Sequence, residues 1–434
     1  MFRQRDPRIA SALALIFLAY ASGRIATALP ALHKPRELAD TVAYLRISGQ
    51  PLLSPEFWGS TRPFLFPLVL KMVGQDLTLA ASAQLGISIL AWGLLAWMIT
   101  LFLRPSMLRP PAFGVILAFS LDRHIAGWDS VMMTESLSLS LLALFAASGL
   151  WLLRAWAISR LTAMIVVGLL LAFARDTNAW LLLMLAALLL GAVLARWAPP
   201  RTLIPIAAFV MIFGLSYANA NLGSRWVFPL GNLIARRILP DGAAVRFFRA
   251  CGMPVSSALM RLLGGFANSE DRAMFEDPQL EPFRAWLLTD GKACYTRWLL
   301  SQPARSLAES LRQFDSLIAF KNTDKYFARA FDPLMPVQVG KIFYPQAFAP
   351  WLWALCLLFA VAASWRQAWR EQPLWALLVA LEILVFPHLF LAWHGDAMAP
   401  ERHALLAGVQ LYLGFWVLVI LAIESLWLRR QSEP

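Results

Sequence analysis

The sequence predicts an all-α, polytopic membrane protein of about ten transmembrane helices. Of its 434 residues, 59% are hydrophobic and 15% are charged, whereas a soluble domain carries about 25% charged residues. Water cannot be the solvent for so much apolar surface, so lipid must cover much of the chain. Helices are expected there because the backbone in lipid must satisfy its own hydrogen bonds.

Ten apolar stretches account for this number of helices, although several are shorter than the ~20 residues of an ideal span. They cover residues 9–29, 79–103, 111–121, 136–153, 161–174, 179–195, 202–219, 347–364, 373–393 and 404–427. Asp122 and Arg123 end the third stretch early. This helix is therefore expected to be tilted, partly buried or re-entrant.

The arginines between these stretches agree with the positive-inside rule. If the N terminus is cytoplasmic, each of the six inside segments holds at least two arginines: Arg3, Arg5 and Arg8, then Arg104 and Arg109, Arg154 and Arg160, Arg196 and Arg201, Arg366 and Arg370, and finally Arg429 and Arg430. Both termini are then cytoplasmic, and the outside segments are residues 30–78, 122–135, 175–178, 220–346 and 394–403. The first stretch also resembles a signal peptide, but residue 30 lies outside under either interpretation.

This arrangement divides the chain into an N-terminal membrane module (1–219) that contains the external loop 30–78, a large external region (220–346) and C-terminal membrane helices (347–434). The large region is mostly polar with apolar residues at helical spacing, which predicts short amphipathic helices against the membrane.

The net charge of +12 comes from dispersed basic residues, so nucleic acid is not an expected partner. The three cysteines contain no CxxC pair, which argues against a zinc or redox motif, while Cys251 and Cys294 could form a disulfide.

Polar residues that could carry chemistry lie in the outside segments, close to helix ends. Asp40 and Tyr44 are four residues apart and would share one helix face. Asp40 is either a solvated loop carboxylate or a carboxylate that faces an incoming hydroxyl. Arg62 precedes Pro63 and Pro67, which are expected to break any helix there. This arginine could bind a phosphate in a bidentate fashion or extend to lipid headgroups.

The remaining candidates share this position near helix ends: Asp122, His124, Glu135, Arg175, His394, Arg402 and His403. Glu135 opens an apolar stretch, where a carboxylate could cap the helix or serve a site. Arg175 precedes Asp176, so the two could neutralise each other or leave the arginine free to face a phosphate.

Possible metal ligands and a glutamate within a predicted span are the remaining ionisable residues of interest. His394, His403, Asp40 and Asp396 are metal-ligand types, but no short ligand spacing marks a metal site among them. Glu382 lies in the middle of the ninth stretch, where an ionisable group is costly. Its expected role is to pair with Arg24 or another buried polar group, with proton coupling as the alternative.

In these residues the chain resembles the membrane glycosyltransferases of the GT-C superfamily. The resemblance lies in the Asp40 loop after the first span, the stretch Arg62–Pro67, and the acidic segment that ends at Thr134 and Glu135 before a Ser/Leu-rich helix. It covers residues 1–180 and is closest to the protein mannosyltransferase and aminoarabinose transferase branch, which is glycosyltransferase family 39-like. Many relatives carry an Asp-Glu pair where this chain has Ala39 and Asp40.

The resemblance implies an inverting transfer of a sugar from a polyprenyl-phosphate donor to a hydroxyl of a glycan, lipid or protein acceptor, at the external face of a bacterial inner membrane. Asp40 would be the general base, and Arg62, Arg175 or Arg402 would stabilise the leaving phosphate. Asp122 or Glu135 would orient the acceptor or hold a divalent cation. Tyr44, His124, His394 and His403 are further candidates for substrate contacts.

Three other functions remain open. A transporter or flippase of a polyprenyl-linked sugar would need polar residues through the membrane centre and related halves, neither of which the sequence favours. A polymerase or ligase of lipid-linked glycans would need an Arg-rich external region, and residues 220–346 do contain many arginines. A non-enzymatic assembly protein is the third.

Overall fold

The computed structural model describes residues 7–267, 273–321 and 323–432. The chain is helical throughout these ranges, which contain no strand, only a single backbone bridge between Arg36 and Val131. The helices before the large external region are α1 Pro7–Leu32, α2 Ala39–Gly49, α3 Pro55–Trp58, α4 Leu65–Met72, α5 Leu77–Thr100, α6 Arg109–Ser120, α7 Arg123–Ala126, α8 Glu135–Arg154, α9 Ile158–Ala174, α10 Asp176–Leu194 and α11 Leu203–Leu222.

The rest of the chain continues in the same way. Short helices form the large external region: α12 Val227–Leu233, α13 Gly242–Ala250, α14 Ser257–Met260, α15 Ala273–Glu276, α16 Glu281–Trp286, α17 Lys292–Ser301, α18 Pro303–Arg312, α19 Phe314–Ala319 and α20 Val337–Phe343. The C-terminal part contains α21 Ala349–Trp365, α22 Leu374–Gly395, α23 Pro400–His403 and α24 Leu405–Ser432.

Seven of the described helices are long and apolar enough to cross a membrane: α1, α5, α8, α10, α11, α22 and α24. Helices α9 and α21 are also apolar but have 17 residues each. Helix α6, in the third predicted stretch, has only 12 residues. The chain therefore has the helices of a polytopic membrane protein, with seven candidate spans instead of a uniform set of ten.

The apolar helices pack side by side with α5 and α8 in contact at the centre. Helix α5 also packs against α1 and α6, and α8 packs against α9. Helices α9, α10 and α11 contact one another, and α10 contacts α22, which pairs with α24. Along α1, the side chains of Leu15, Leu18, Ile25 and Leu29 are exposed. Exposed apolar residues on a long apolar helix suit a surface that faces lipid.

A buried ion pair between Arg24 and Asp129 joins α1 to the loop before α8. Each side chain is only 2% exposed. The Arg24 guanidinium also donates to the Ser120 carbonyl at 2.7 Å and to the Ser88 hydroxyl at 2.9 Å. Ser136 donates to the second carboxylate oxygen of Asp129 at 2.7 Å. Both charges are thus paired and hydrogen-bonded, as buried charges must be.

The expected pairing of Glu382 with Arg24 is wrong, because Asp129 already holds the Arg24 guanidinium. Glu382 is fully buried in α22, and its carboxylate oxygens make no hydrogen bond within the described part of the chain. Gly414 of α24 leaves room for this side chain, since a Cβ atom there would lie 1.8 Å from Oε1 of Glu382. The carboxyl group therefore fills a gap between α22 and α24.

The external region has its own apolar cluster, which includes Phe248, Leu259, Phe283 and Trp286 from three of its short helices. Cys251 after α13 and Cys294 in α17 form a disulfide. The third cysteine, Cys356, is a buried free thiol in α21. The short helices predicted for this region are thus present, held together by their own core and by a covalent bond.

Candidate functional site

The first external loop and the acidic loop before α8 are held together by backbone hydrogen bonds. The Arg36 amide donates to the Ser130 carbonyl at 2.8 Å, and the Met132 amide donates to the Arg36 carbonyl at 2.9 Å. Where α2 begins, the Thr41 hydroxyl donates to the Met132 carbonyl at 3.0 Å and accepts from the Leu38 amide at 2.9 Å. The first turn of α2, which carries Asp40, is therefore fixed against the start of α8.

Asp40 lies between two arginines from distant parts of the chain. Arg62 forms an ion pair with one carboxylate oxygen, and Nη1 of Arg402 donates to the other at 3.2 Å. The Asp40 and Arg402 side chains are 15% and 11% exposed, whereas Arg62 is 40% exposed. Arg62 is therefore the partner that can move towards solvent or a ligand.

Glu135, the first residue of α8, continues this arrangement inward. One of its carboxylate oxygens lies 3.2 Å from Nη1 of Arg175 and 3.5 Å from Nε of Arg402. The Glu135 side chain is 1% exposed. Thr134 makes no side-chain cap to α8. Glu135 thus forms ion pairs with two guanidiniums, one of which also contacts Asp40, although its carboxylate oxygens accept no hydrogen bond from the described residues.

His403 and Asp396 complete the set, and we call Arg62, Asp40, Arg402, Glu135, Arg175, His403 and Asp396 the charge chain. Nη2 of Arg175 lies 2.7 Å from Nδ1 of His403, and Nε2 of His403 lies 3.6 Å from Asp396. Burial and the charge of Arg175 both lower the pKa of His403. A neutral imidazole can accept from Arg175 at Nδ1 and direct its Nε2 proton towards Asp396.

Tyr44 lies one helical turn after Asp40 on α2, as the spacing predicted. Its side chain is buried, and its ring packs edge-on against Phe66 at 5.1 Å between centroids. Burial, together with the negative charge of Asp40, raises the pKa of Tyr44 to about 12. Tyr44 is therefore a neutral hydroxyl beneath the charge chain and anchors α2 to α4.

Pro67 does not break the helix as expected, because it lies in the first turn of α4. Proline is tolerated there since the amide groups of a first turn have no intrahelical acceptor. Leu65, Phe66 and Pro67 are all buried. Arg62 thus sits just before a helix that packs inward, which holds its backbone close to Asp40.

Arg175 and Asp176 do not neutralise each other. Arg175 is in an extended conformation, with φ −160°, whereas Asp176 begins α10, so the two side chains leave the backbone in different directions. Arg175 contacts Glu135 at 3.2 Å, while Asp176 contacts Nη1 of Arg225 at 2.8 Å. Nε of Arg225 also donates to the Ser60 carbonyl at 2.9 Å.

The structure does not bring Asp122, His124 and His394 into the charge chain. Asp122 caps α7 by accepting from the His124 amide at 2.8 Å and lies 2.6 Å from Nδ1 of the same histidine. The His124 ring stacks on Tyr344 at 4.1 Å between centroids. Nε2 of His394 lies 3.0 Å from the Ser306 carbonyl. These side chains are buried and already have partners, which indicates a structural role for each.

The sequence pattern missed Asn232, which contacts the charge chain, and Arg225, which pairs with Asp176 next to Arg175. Nδ2 of Asn232 donates to Asp396 at 2.9 Å. Asn232 and Arg225 belong to the large external region, where no motif distinguishes them from neighbouring polar residues. Asp396 had been noted as a metal-ligand type, and its part in orienting His403 depends on contacts between distant segments.

The charge chain does not fit the divalent cation that the resemblance leaves open. Within residues 7–267, 273–321 and 323–432, no group of three or more His, Cys, Asp or Glu side chains could hold a metal ion. The carboxylates of Asp40 and Glu135 face guanidiniums, and a cation would have to displace these positive charges. Asp122 is likewise occupied by His124.

Acid is expected to weaken the contacts of Asp40. Burial raises the pKa of this carboxyl, but Arg62 and Arg402 lower it more, so the pKa of Asp40 lies below its ordinary value. The stabilisation by a carboxyl of this kind is complete above its unfolded-state pKa of about 4 and is lost as the pH falls through the lower folded-state pKa. Thermal unfolding in detergent should therefore show that wild type exceeds Asp40→Asn in stability at neutral pH, with a gap that closes below about pH 4. A stability difference between the two proteins that stays constant with pH would contradict the lowered pKa of Asp40.

In comparisons with known proteins, no family model and no curated protein matches the chain.

Proposed function

We propose that this protein is a membrane glycosyltransferase that moves a sugar from a polyprenyl-phosphate donor to an acceptor hydroxyl. The position of Asp40 between the guanidiniums of Arg62 and Arg402, beside the end of a long apolar helix, supports this most. In this proposal the scaffold is GT-C-like with about ten membrane helices, including the shorter α6, α9 and α21. The site faces the periplasm of a bacterial inner membrane, and both chain termini are cytoplasmic.

Asp40 acts as the general base in a single inverting displacement. The acceptor oxygen attacks the anomeric carbon, the bond from that carbon to the donor phosphate oxygen breaks, and the acceptor proton passes to the Asp40 carboxylate. A positioned carboxylate can do this because it is ionised and within reach of the hydroxyl. The proton then leaves to water.

Arg62 links acceptor binding to the strength of this base. With both guanidiniums in place the pKa of Asp40 is held low, which makes the carboxylate a weak base. The half-exposed Arg62 can turn to an anionic group of the incoming acceptor, whose oxygens can accept from its fork of N–H groups. The pKa of Asp40 then rises towards its ordinary value when the acceptor is present.

The leaving phosphate gains negative charge as the sugar departs, and Arg402 and Arg175 are the buried cations that would stabilise it. Such groups are most effective when they are fixed before the reaction. Glu135 forms ion pairs with both arginines, at 3.5 and 3.2 Å. Neutral His403 holds Arg175 from its other side. Glu135 and His403 are thus positioning residues.

The membrane setting suits a lipid-linked donor. Such a donor diffuses laterally in the bilayer while its sugar phosphate remains at headgroup level, where helix ends can meet it. The Cys251–Cys294 disulfide supports a location of the large external region outside the cytoplasm, since disulfides persist in oxidising compartments.

Transport is the second candidate, and Glu382 is the observation that favours it. An unpaired, buried carboxyl within a membrane helix is a functional candidate by default. His388 lies on the same helix, buried and 2.8 Å from Gln410 of α24. The charge chain at the helix ends nevertheless offers both a base and phosphate-binding cations, which transfer requires and transport does not.

Donor consumption tests the proposal directly. Purified protein in liposomes is supplied with polyprenyl monophosphates that carry different radiolabelled sugars, together with membrane extract as the source of acceptor. We expect one donor to release polyprenyl phosphate and pass its label to an acceptor, unlike in liposomes without protein. If no donor is consumed but labelled lipid crosses the bilayer faster than in empty liposomes, transport replaces transfer.

A further inference from the structure

A cavity of about 320 Å³ lies between the first external loop and the large external region. One wall comes from α2 and the segment before α4, with Arg46 and Arg62. The other comes from the start of the external region and from α15 to the segment after α16, including Phe228 and Arg284. We call this space the Arg cavity, because arginines project from both of its walls.

Positive charge dominates the lining. Four arginines line the cavity, Arg46, Arg62, Arg225 and Arg284, and the lining within the described residues includes no acidic side chain. Arg62, Arg225 and Arg284 pair with carboxylates that do not line the cavity. In the part of the chain that the structure describes, no carboxylate pairs with the exposed Arg46. The cavity therefore carries an excess positive charge that favours an anionic ligand.

The rest of the lining is apolar. Phe228 and Phe275 lie 4.5 Å apart between ring centroids, and Val227, Leu287 and Leu288 extend the same surface. A free inorganic anion would gain nothing from these side chains. A ligand with a negative group joined to an apolar group would use both parts of the lining, because burial of apolar surface adds to the ionic contacts.

The cavity also has a preformed shape. Gly223 rests on the first loop so closely that a Cβ atom there would lie 2.1 Å from the Ser60 carbonyl oxygen. Arg225 donates to the same carbonyl. The two walls are thus joined at one end of the cavity, which lowers the cost of ordering them around a ligand.

We infer that the Arg cavity binds the acceptor, and that the acceptor is an acidic molecule with a phosphate or carboxylate group and an apolar part. This assignment rests on the proposed function. In the displacement, the attacking hydroxyl and the leaving phosphate lie on opposite sides of the anomeric carbon. Arg402 contacts one carboxylate oxygen of Asp40, on the side of Arg175, and Arg62 contacts the other, on the side of the cavity.

Binding without turnover tests the assignment. Radiolabelled dodecyl phosphate is titrated onto purified protein in dodecyl maltoside micelles. The detergent has the same dodecyl group as the probe but no negative charge, so it controls for apolar binding alone. Unlabelled inorganic phosphate is the competitor that lacks the apolar part. We expect Arg46→Gln to weaken binding by about tenfold, the value of a hydrogen bond to a charged group. Arg297→Gln, an exposed change in the external region and outside the lining, should bind like wild type.

The variants also show whether the probe binds in the Arg cavity, as an acceptor would, or at the position proposed for the donor phosphate. Arg402→Gln should retain binding if the probe is in the Arg cavity. The inference is overturned if Arg46→Gln binds like wild type, if inorganic phosphate competes as well as the unlabelled probe, or if Arg402→Gln abolishes binding, which would put the probe at the donor position. A probe that depends on Arg46 in a protein that consumes no donor would support the site and refute the transferase. If the protein consumes donor but Arg46→Gln binds the probe like wild type, the transferase is supported and the site is refuted.

Discussion

Asp40→Asn is expected to lower the rate of sugar transfer by about a thousandfold, the middle of the range for loss of a general base. Asparagine has nearly the same shape and can still accept from Arg402, but it cannot take the acceptor proton. Initial rates are measured at equal amounts of folded protein. The donor should still bind, because Arg402 and Arg175, the arginines proposed to hold its phosphate, are retained.

Glu37→Gln is the matched control for this variant. Glu37 is an exposed carboxylate in the same loop, only three positions before Asp40, so its replacement removes a nearby negative charge without touching the charge chain. Its transfer rate should stay within about twofold of wild type, as expected for a surface substitution. If Asp40→Asn retains full activity while folded, Asp40 is not the base.

Asp129→Leu is expected to lower the free energy of unfolding by about 3–5 kcal/mol, since it leaves the buried Arg24 charge without its counter-ion. Both side chains are only 2% exposed, so water cannot replace the lost partner. Unfolding of purified protein in detergent, followed by circular dichroism during titration with a denaturing detergent, would measure the change.

The double variant Arg24→Leu/Asp129→Leu distinguishes a charge effect from a packing effect. Removal of both charges should restore most of the stability, because apolar pairs often replace buried ion pairs at little cost. Additive losses from the two single variants would show that the ion pair contributes no coupling. Asp290→Leu, at an exposed position of the external region, should have a much smaller effect.

Helix positions followed from the sequence because the length of an apolar stretch is a local property. Spacing placed Asp40 and Tyr44 on one helix, and the arginine pattern assigned Asp40, Arg62, Glu135, Arg175 and Arg402 to one side. The structure brings these five together. The number of spans was harder to predict, since the short helices α6 and α9 are as apolar as longer ones.

Partners of charged residues could not be predicted in the same way. Glu382 was expected to pair with Arg24 or another buried polar group, and Arg175 either to pair with Asp176 or to face a phosphate. The actual partners come from other segments of the chain, as in the pairs Arg24 and Asp129, Arg175 and Glu135, and Arg402 and Asp40. Asp122 and His124 satisfy each other locally, which a pattern of polar residues does not distinguish from a shared site.

Phe275, Arg284 and Leu288 all lie between Cys251 and Cys294, which are 43 positions apart. One wall of the Arg cavity is therefore part of a covalently closed ring of backbone, and its ends stay together when α13 or α17 loosens. With both thiols reduced, the same wall would depend on the apolar cluster alone. Formation of this wall is thus coupled to oxidation of the two thiols.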